Sequence, residues 1–153
     1  VRPAGVADAP KIAALVRLAF AHQEVATDPP PSALRETTET IAAALADGGG
    51  AIAERGAEMI GAVLWSEKEG GLYLGRLAVL PSCRGQGVGS ALIAAAEAQA
   101  RALDLARLHL GVRLTLPANR RLFAAHGFVE TTRRAHPGYA EPTSVTMEKR
   151  LSG

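Results

Sequence analysis

Apolar positions along the chain change period several times, and each change marks an element. Between residues 9 and 21, Ile12, Leu15, Val16, Leu18 and Phe20 fall on or near one face at helical spacing, predicting an amphipathic helix with Asp8 as its N-cap. Thr27-Asp28-Pro29-Pro30-Pro31 breaks that pattern with a stiff link. A second helix is predicted over residues 33–46, capped by Ser32, with Leu34, Thr38, Ile41 and Leu45 on one face and Gly48-Gly49-Gly50 at its end. Shorter apolar runs at residues 51–54 and 59–66 read as strands joined by a turn at Arg55-Gly56-Ala57. After a loop at residues 67–71, a third strand runs over residues 72–80.

The alanine- and leucine-rich stretch 91–103 predicts a long helix, and residues 107–112 a further strand. Residues 117–125 predict a short helix, with Pro117 suited to its first turn and Gly127 to its end. Residues 128–134 and 143–149 close the chain as two strands around the loop His136-Pro137-Gly138-Tyr139. With a first strand at the N-terminus, the order is strand, two helices, three strands, helix, strand, helix, two strands. That order predicts one α/β domain over residues 1–153, a mixed sheet with helices on both faces.

Composition narrows the picture. Apolar residues make up 48% of the 153, but aromatics only 4%, so Ala, Leu, Val and Ile must fill the core. No apolar run reaches the length of a membrane span and no signal peptide is visible, which with the single Cys83 predicts a reducing, cytoplasmic setting and no membrane partner. The net charge of +2 suits an acidic small ligand and is too small to argue for nucleic acid. No His, Cys and carboxylate cluster has ligand spacing, so no metal is expected.

Arg84-Gly85-Gln86-Gly87-Val88-Gly89-Ser90 lies between the third strand and the long helix. Its glycines let backbone N–H groups turn towards one ligand, and the helix adds unpaired N–H groups and the positive end of its dipole. Such a junction is an anion site suited to a phosphate or pyrophosphate. A triphosphate-binding loop needs Gly-Lys-Ser/Thr, and no lysine stands between Lys68 and Lys149. A dinucleotide fingerprint fits poorly, because the spacing is Gly85-x-Gly87-x-Gly89 and the next strand ends in Gly111-Val112-Arg113 without an acid.

Leu77-Ala78-Val79-Leu80-Pro81 followed by Arg84-x-x-Gly87-x-Gly89 resembles the acetyl-CoA loop of the GNAT N-acetyltransferase superfamily. Asn119 to Phe128, a short helix ending in Gly127-Phe128, resembles that family's second signature, and the two blocks stand in the family's order and separation. The resemblance implies a mostly antiparallel mixed sheet splayed at the cofactor site, and acetyl-CoA as co-substrate. It places Gln86, Gly87, Val88, Gly89 and Ser90, with Arg84 and Gly85, at the pyrophosphate. Leu77, Ala78 and Val79 would lie along the pantetheine arm, with a backbone N–H near Val79 towards the thioester carbonyl, and Asn119 and Phe123 would face the ligand. Arg120 or Arg121 would reach the 3′-phosphate or else form a solvated face. Cys83 is expected as a loop residue, with no nucleophilic role.

Proton handling departs from the family pattern. Phe123 stands where many relatives carry the Tyr that protonates the leaving thiolate, so either another group or water supplies that proton. The strand at residues 72–79 holds no carboxylate; its ionisable groups are Tyr73 and Arg76. Candidate bases are His109 on the next strand, Tyr139 or His136 in the last loop, and His22 and Glu24 after the first helix. His136-Pro137-Gly138-Tyr139 borders the acceptor or is a sealed turn, and residues 27–36 are the other acceptor wall. The expected reaction is direct attack of a small-molecule primary amine on the thioester. The rivals are a protein or peptide Nα- or lysine-acetyltransferase and a non-catalytic acyl-CoA sensor, and a homodimer is compatible with the sequence.

Overall fold

A computed structural model describes residues 1–21, 32–114 and 116–151. Seven strands form one sheet in the order β1-β2-β3-β4-β5-β7-β6. They are β1 (Arg2–Pro3), β2 (Gly49–Arg55), β3 (Glu58–Lys68), β4 (Gly71–Val79), β5 (Arg107–Arg113), β6 (Val129–Arg134) and β7 (Ser144–Arg150). All neighbours are antiparallel except β4 and β5. Among the described residues there are four α-helices: α1 (Ala9–Ala21), α2 (Thr38–Asp47), α3 (Val88–Ala102) and α4 (Pro117–Ala125).

The strands alternate, and each face of the sheet has its own core. On one face α1 and α2 bury Ile12, Leu15, Val16, Ala19, Ile41 and Leu45 against Ile52, Ala62, Leu64 and Ala78. On the other, Leu92, Ile93, Ala96 and Ala100 of α3 and Phe123 of α4 pack on Val63, Leu72, Leu74, Leu108, Leu110 and Met147. Few of these are aromatic, as the composition requires. The buried stripe on α1 is 12-13-15-16-19; Leu18 is exposed and Phe20 half-buried, so both leave the predicted face.

Several expected boundaries move for identifiable reasons. Asp8 lies in a short 3-10 turn (Val6–Asp8), where its carboxylate accepts the Gly5 N–H at 2.9 Å and pairs with Arg2 instead of capping α1. Residues 32–35 form a separate 3-10 turn, and α2 starts only after Thr37, whose hydroxyl accepts the Thr40 N–H at 3.2 Å. Thr37 therefore takes the cap predicted for Ser32. Gly48 alone ends α2, while Gly49 and Gly50 already pair with Trp65 and Leu64 in the sheet. α3 begins at Val88, three residues before the alanine-rich run, because Gly87 supplies its left-handed N-cap.

Candidate active site

The site begins with a defect in β4. Along its ladder with β3, Arg76 opposes Leu64 and Leu74 opposes Trp65, so Gly75 is an extra residue. This bulge resets the strand's faces. Leu72 and Leu74 point into the core under α3, whereas Ala78 points into the core under α1 and α2. β5 pairs with β4 only at Leu72↔Leu108 and Tyr73↔His109. Beyond that point the strands part, and a cleft of about 320 Å³ opens between them. Tyr73 to Leu77 of β4 and Leu110 to Arg113 of β5 line its two sides; Phe20, Asn119, Phe123 and His136 contribute from α1, α4 and the β6–β7 loop.

The glycine loop lies at the C-terminal end of β4. Gly85 and Gly87 have φ of +79° and +81°, a region where a Cβ is strained. Gly87 offers no side-chain cap to α3. The first intrahelical bond at that end is Ala91 N–H to Gly87 O at 3.1 Å, so the Val88, Gly89 and Ser90 N–H groups are left over at the positive end of a 15-residue helix. This loop, without side-chain bulk at its turning points, fits a pyrophosphate, and the parted strands fit an extended arm.

The predicted cofactor-binding residues sort into distinct settings. Leu77 lines the cleft directly and Val79 is half-buried farther along the strand, but the Ala78 side chain is buried beneath α1 and α2, which leaves only its backbone for a ligand. The Arg84 side chain turns away: its Nη2 donates to Ala19 O at 2.8 Å, tying the loop to the last turn of α1. Gln86 is held from outside by Arg55, which donates to Gln86 Oε1 at 3.1 Å and to Cys83 Sγ at 3.0 Å. Ser90 Oγ meets His126 Nε2 at 2.9 Å, joining α3 to the end of α4. Asn119 faces the cleft, and among the described residues its amide makes no hydrogen bond.

Phe123 lines the cleft from a buried position, its ring edge-on to Phe128 with centroids 5.6 Å apart. Arg120 donates to Glu130 at 2.7 Å, so it serves an ion pair with β6; Arg121 is exposed. Cys83 is buried and has the Arg55 guanidinium beside its sulfur.

The candidate bases separate clearly. His109 is 3% exposed, bonds the Lys68 carbonyl through Nε2 at 2.8 Å, and stacks at a tilt on Tyr73 with centroids 5.3 Å apart. It lies in the paired part of β4 and β5 and not on the cleft wall. That setting is structural, a histidine satisfied by a backbone carbonyl. Tyr139 does not line the cleft either; its ring packs edge-on against His136, which does. His22 and Glu24 lie outside the described residues.

One contact had no signal in the sequence. Glu36, just before α2, accepts from Arg76 Nε at 3.2 Å and from Thr40 Oγ1 at 3.0 Å, while Arg17 grips its carbonyl at 2.6 Å. A carboxylate 40 residues away thereby reaches a strand that carries none of its own. Among the described residues no group of three or more His, Cys, Asp or Glu could hold a metal, and no helix is long and apolar enough to cross a membrane.

A bulged strand parting from a parallel neighbour, with a glycine loop and a helix N-terminus at the end of the gap, is a site for an extended ligand that carries a pyrophosphate. The Acetyltransferase (GNAT) family profile matches residues 15–128, and the chain belongs to that family. Solved structures share the fold across nearly the whole chain. The ribosomal-protein-S18-alanine N-acetyltransferase from Escherichia coli is 20% identical, with 99% of this chain and 94% of that one covered and a TM-score of 0.76. The PaiA N-acetyltransferase from Thermoplasma acidophilum, solved in complex with coenzyme A, is 15% identical, with coverage of 97% and 96% and a TM-score of 0.75. The IAA acetyltransferase from Bacillus cereus is 18% identical, with coverage of 98% and 97% and a TM-score of 0.72. No curated protein matches the sequence.

Proposed function

We propose that this GNAT acetyltransferase transfers the acetyl group of acetyl-CoA to the primary amine of a small molecule by direct attack. The observation that carries the reading is the gap between β4 and β5 with the glycine loop at its end. The N–H groups of Val88, Gly89 and Ser90 would hold the pyrophosphate, with Gly85, Gln86 and Gly87 shaping the turn. Beyond the bulge, the backbone of Leu77 to Val79 would pair with the pantetheine arm, and the Asn119 amide would meet it from α4. When bound, acetyl-CoA supplies an activated acyl thioester. Phe123 packs against the arm without donating a proton, so the thiolate takes its proton from solvent at the open end of the cleft or from another group.

The acceptor would enter past Phe20 of α1 and His136 of the β6–β7 loop, which line the cleft with α4. The cleft of about 320 Å³ is shared by the pantetheine arm and the acceptor, so the small-amine reading rests on the assay below and not on the volume. The test is a thiol-release assay with acetyl-CoA and a panel of spermidine, benzylamine, free amino acids and short peptides. Release dependent on one of the small amines is expected. Release with peptides alone would move the assignment to a protein acceptor, and binding of acetyl-CoA without any release would move it to a sensor.

A further inference from the structure

We propose that His136 Nε2 takes the proton that the acceptor amine loses, and that Thr143 fixes the imidazole for that task. The inference rests on the acetyltransferase reading above and adds the catalytic group that β4 does not supply. Three observations carry it. His136 lines the cleft, on the β6–β7 loop. Its Nδ1 is hydrogen-bonded to Thr143 Oγ1, which also accepts the His136 backbone N–H at 3.0 Å. Its Nε2 has no partner among the described residues.

The tautomer follows from counting lone pairs and hydrogens. We assign the Thr143 hydroxyl hydrogen to the Arg134 carbonyl, 3.4 Å away, and one of its lone pairs already takes a backbone N–H. The remaining lone pair suits a donor, so the assigned state has the proton on Nδ1 and an open lone pair on Nε2. Arg113 of β5 is the charge acting on the ring and Tyr139 meets it edge-on from the same loop, while Arg76 of β4, paired with Glu36, shares the cleft lining. Burial, and then the nearby Arg113 charge, hold His136 below the usual histidine range, so it is neutral at pH 7 and ready to accept.

A weak base suffices here. The amine nitrogen becomes acidic once its lone pair is committed to the acyl carbon. The N–C bond forms, the C–S bond breaks, the sulfur leaves as a thiolate, and the nitrogen's proton goes to Nε2. The imidazolium then returns that proton to solvent, which also protonates the thiolate.

The experiment compares wild type, His136→Gln, Thr143→Val and Thr143→Ser, using whichever amine of the panel gives thiol release. Calorimetry with acetyl-CoA runs alongside, to show that each variant still folds and binds. Wild-type kcat should rise with pH through an apparent pKa below about 6.5, where a base must lose its proton. His136→Gln should lose about a hundredfold in kcat and that acidic limb, with acetyl-CoA affinity unchanged. Thr143→Val should shift the limb and Thr143→Ser restore it. Turnover by His136→Gln within threefold of wild type, or an intact acidic limb, overturns the assignment of His136 while leaving the acetyltransferase reading in place. Wild type that binds acetyl-CoA and acetylates nothing in the panel overturns both.

Discussion

At Gly87 the backbone holds φ at +81° and opens α3 without a side-chain cap. Any L-residue there is strained by about 1–2 kcal/mol, and an acidic one also sets a negative charge where the leftover N–H groups should meet a pyrophosphate. Gly87→Glu is therefore expected to abolish acetyl-CoA binding in calorimetry, and retained micromolar affinity would contradict the loop assignment. Gly56 makes the control. It has φ of +63° in the β2–β3 turn, with open space where a Cβ would stand, so Gly56→Ala should lose comparable stability and keep its affinity. The residue pattern revealed backbone chemistry here, since glycine spacing after a strand constrains the loop however side chains fall. It could not reveal where those side chains go. Arg84 stands beside the anion site in sequence, yet its guanidinium satisfies a carbonyl of α1. His109 alternates correctly for a strand, but only the register with Tyr73 places it in the paired stretch, away from the cleft.

Elements with strong local signals were legible to the residue. α4 has the predicted limits, and α1 the predicted start, because those borders carry unambiguous residues. Pro10 is tolerated only in a first turn, and Pro117 and Gly127 bracket the shorter helix. α2 was misread because Ser32 and Thr37 are both capping residues, and only tertiary contacts choose between them. Glu36, gripped by Arg17 and Arg76, fixes the chain so that Thr37 becomes the cap. Thr37→Ala should accordingly cost about 1 kcal/mol in urea unfolding. The seat of α3 depends on Gly61 of β3. A Cβ there would lie 2.7 Å from Val88 Cγ1, 3.0 Å from Leu92 Cδ1 and 3.3 Å from the Ala78 carbonyl. Gly61→Ala must displace the Val88 and Leu92 side chains that seat the first turn of α3, with a destabilisation of about 1–3 kcal/mol typical of overpacking. Because that turn carries the leftover N–H groups, acetyl-CoA affinity should fall as well. A variant destabilised to this extent with unchanged affinity would separate the packing of α3 from the anion site.

Across the whole molecule, the sheet is two ribbons joined weakly along its own plane. β1 to β4 and β5, β7 and β6 are each continuous antiparallel ladders, but only two residue pairs link β4 to β5. The core under α3 bridges them, since Leu92 and Ile93 share one cluster with Leu74 of β4 and Leu110 and Val112 of β5. That division was expected from the family resemblance; the Gly75 bulge was not, although the apolar phase switches from Leu72 and Leu74 to Leu77 and Val79 across an isolated strand glycine, which is a bulge signal. It also predicts where a ligand acts on stability. An acetyl-CoA arm pairing with β4 would satisfy backbone groups that point away from β3, so amide exchange should slow at residues 76–79 and 88–90, with little change in β6 or β7. At a hundredfold excess over Kd the fold should gain about 2.7 kcal/mol, visible as a rise in Tm. Protection confined to the glycine loop would mean that the phosphates bind while the arm does not enter the gap. A Tm rise with no slowing at either segment would place the ligand elsewhere on the protein.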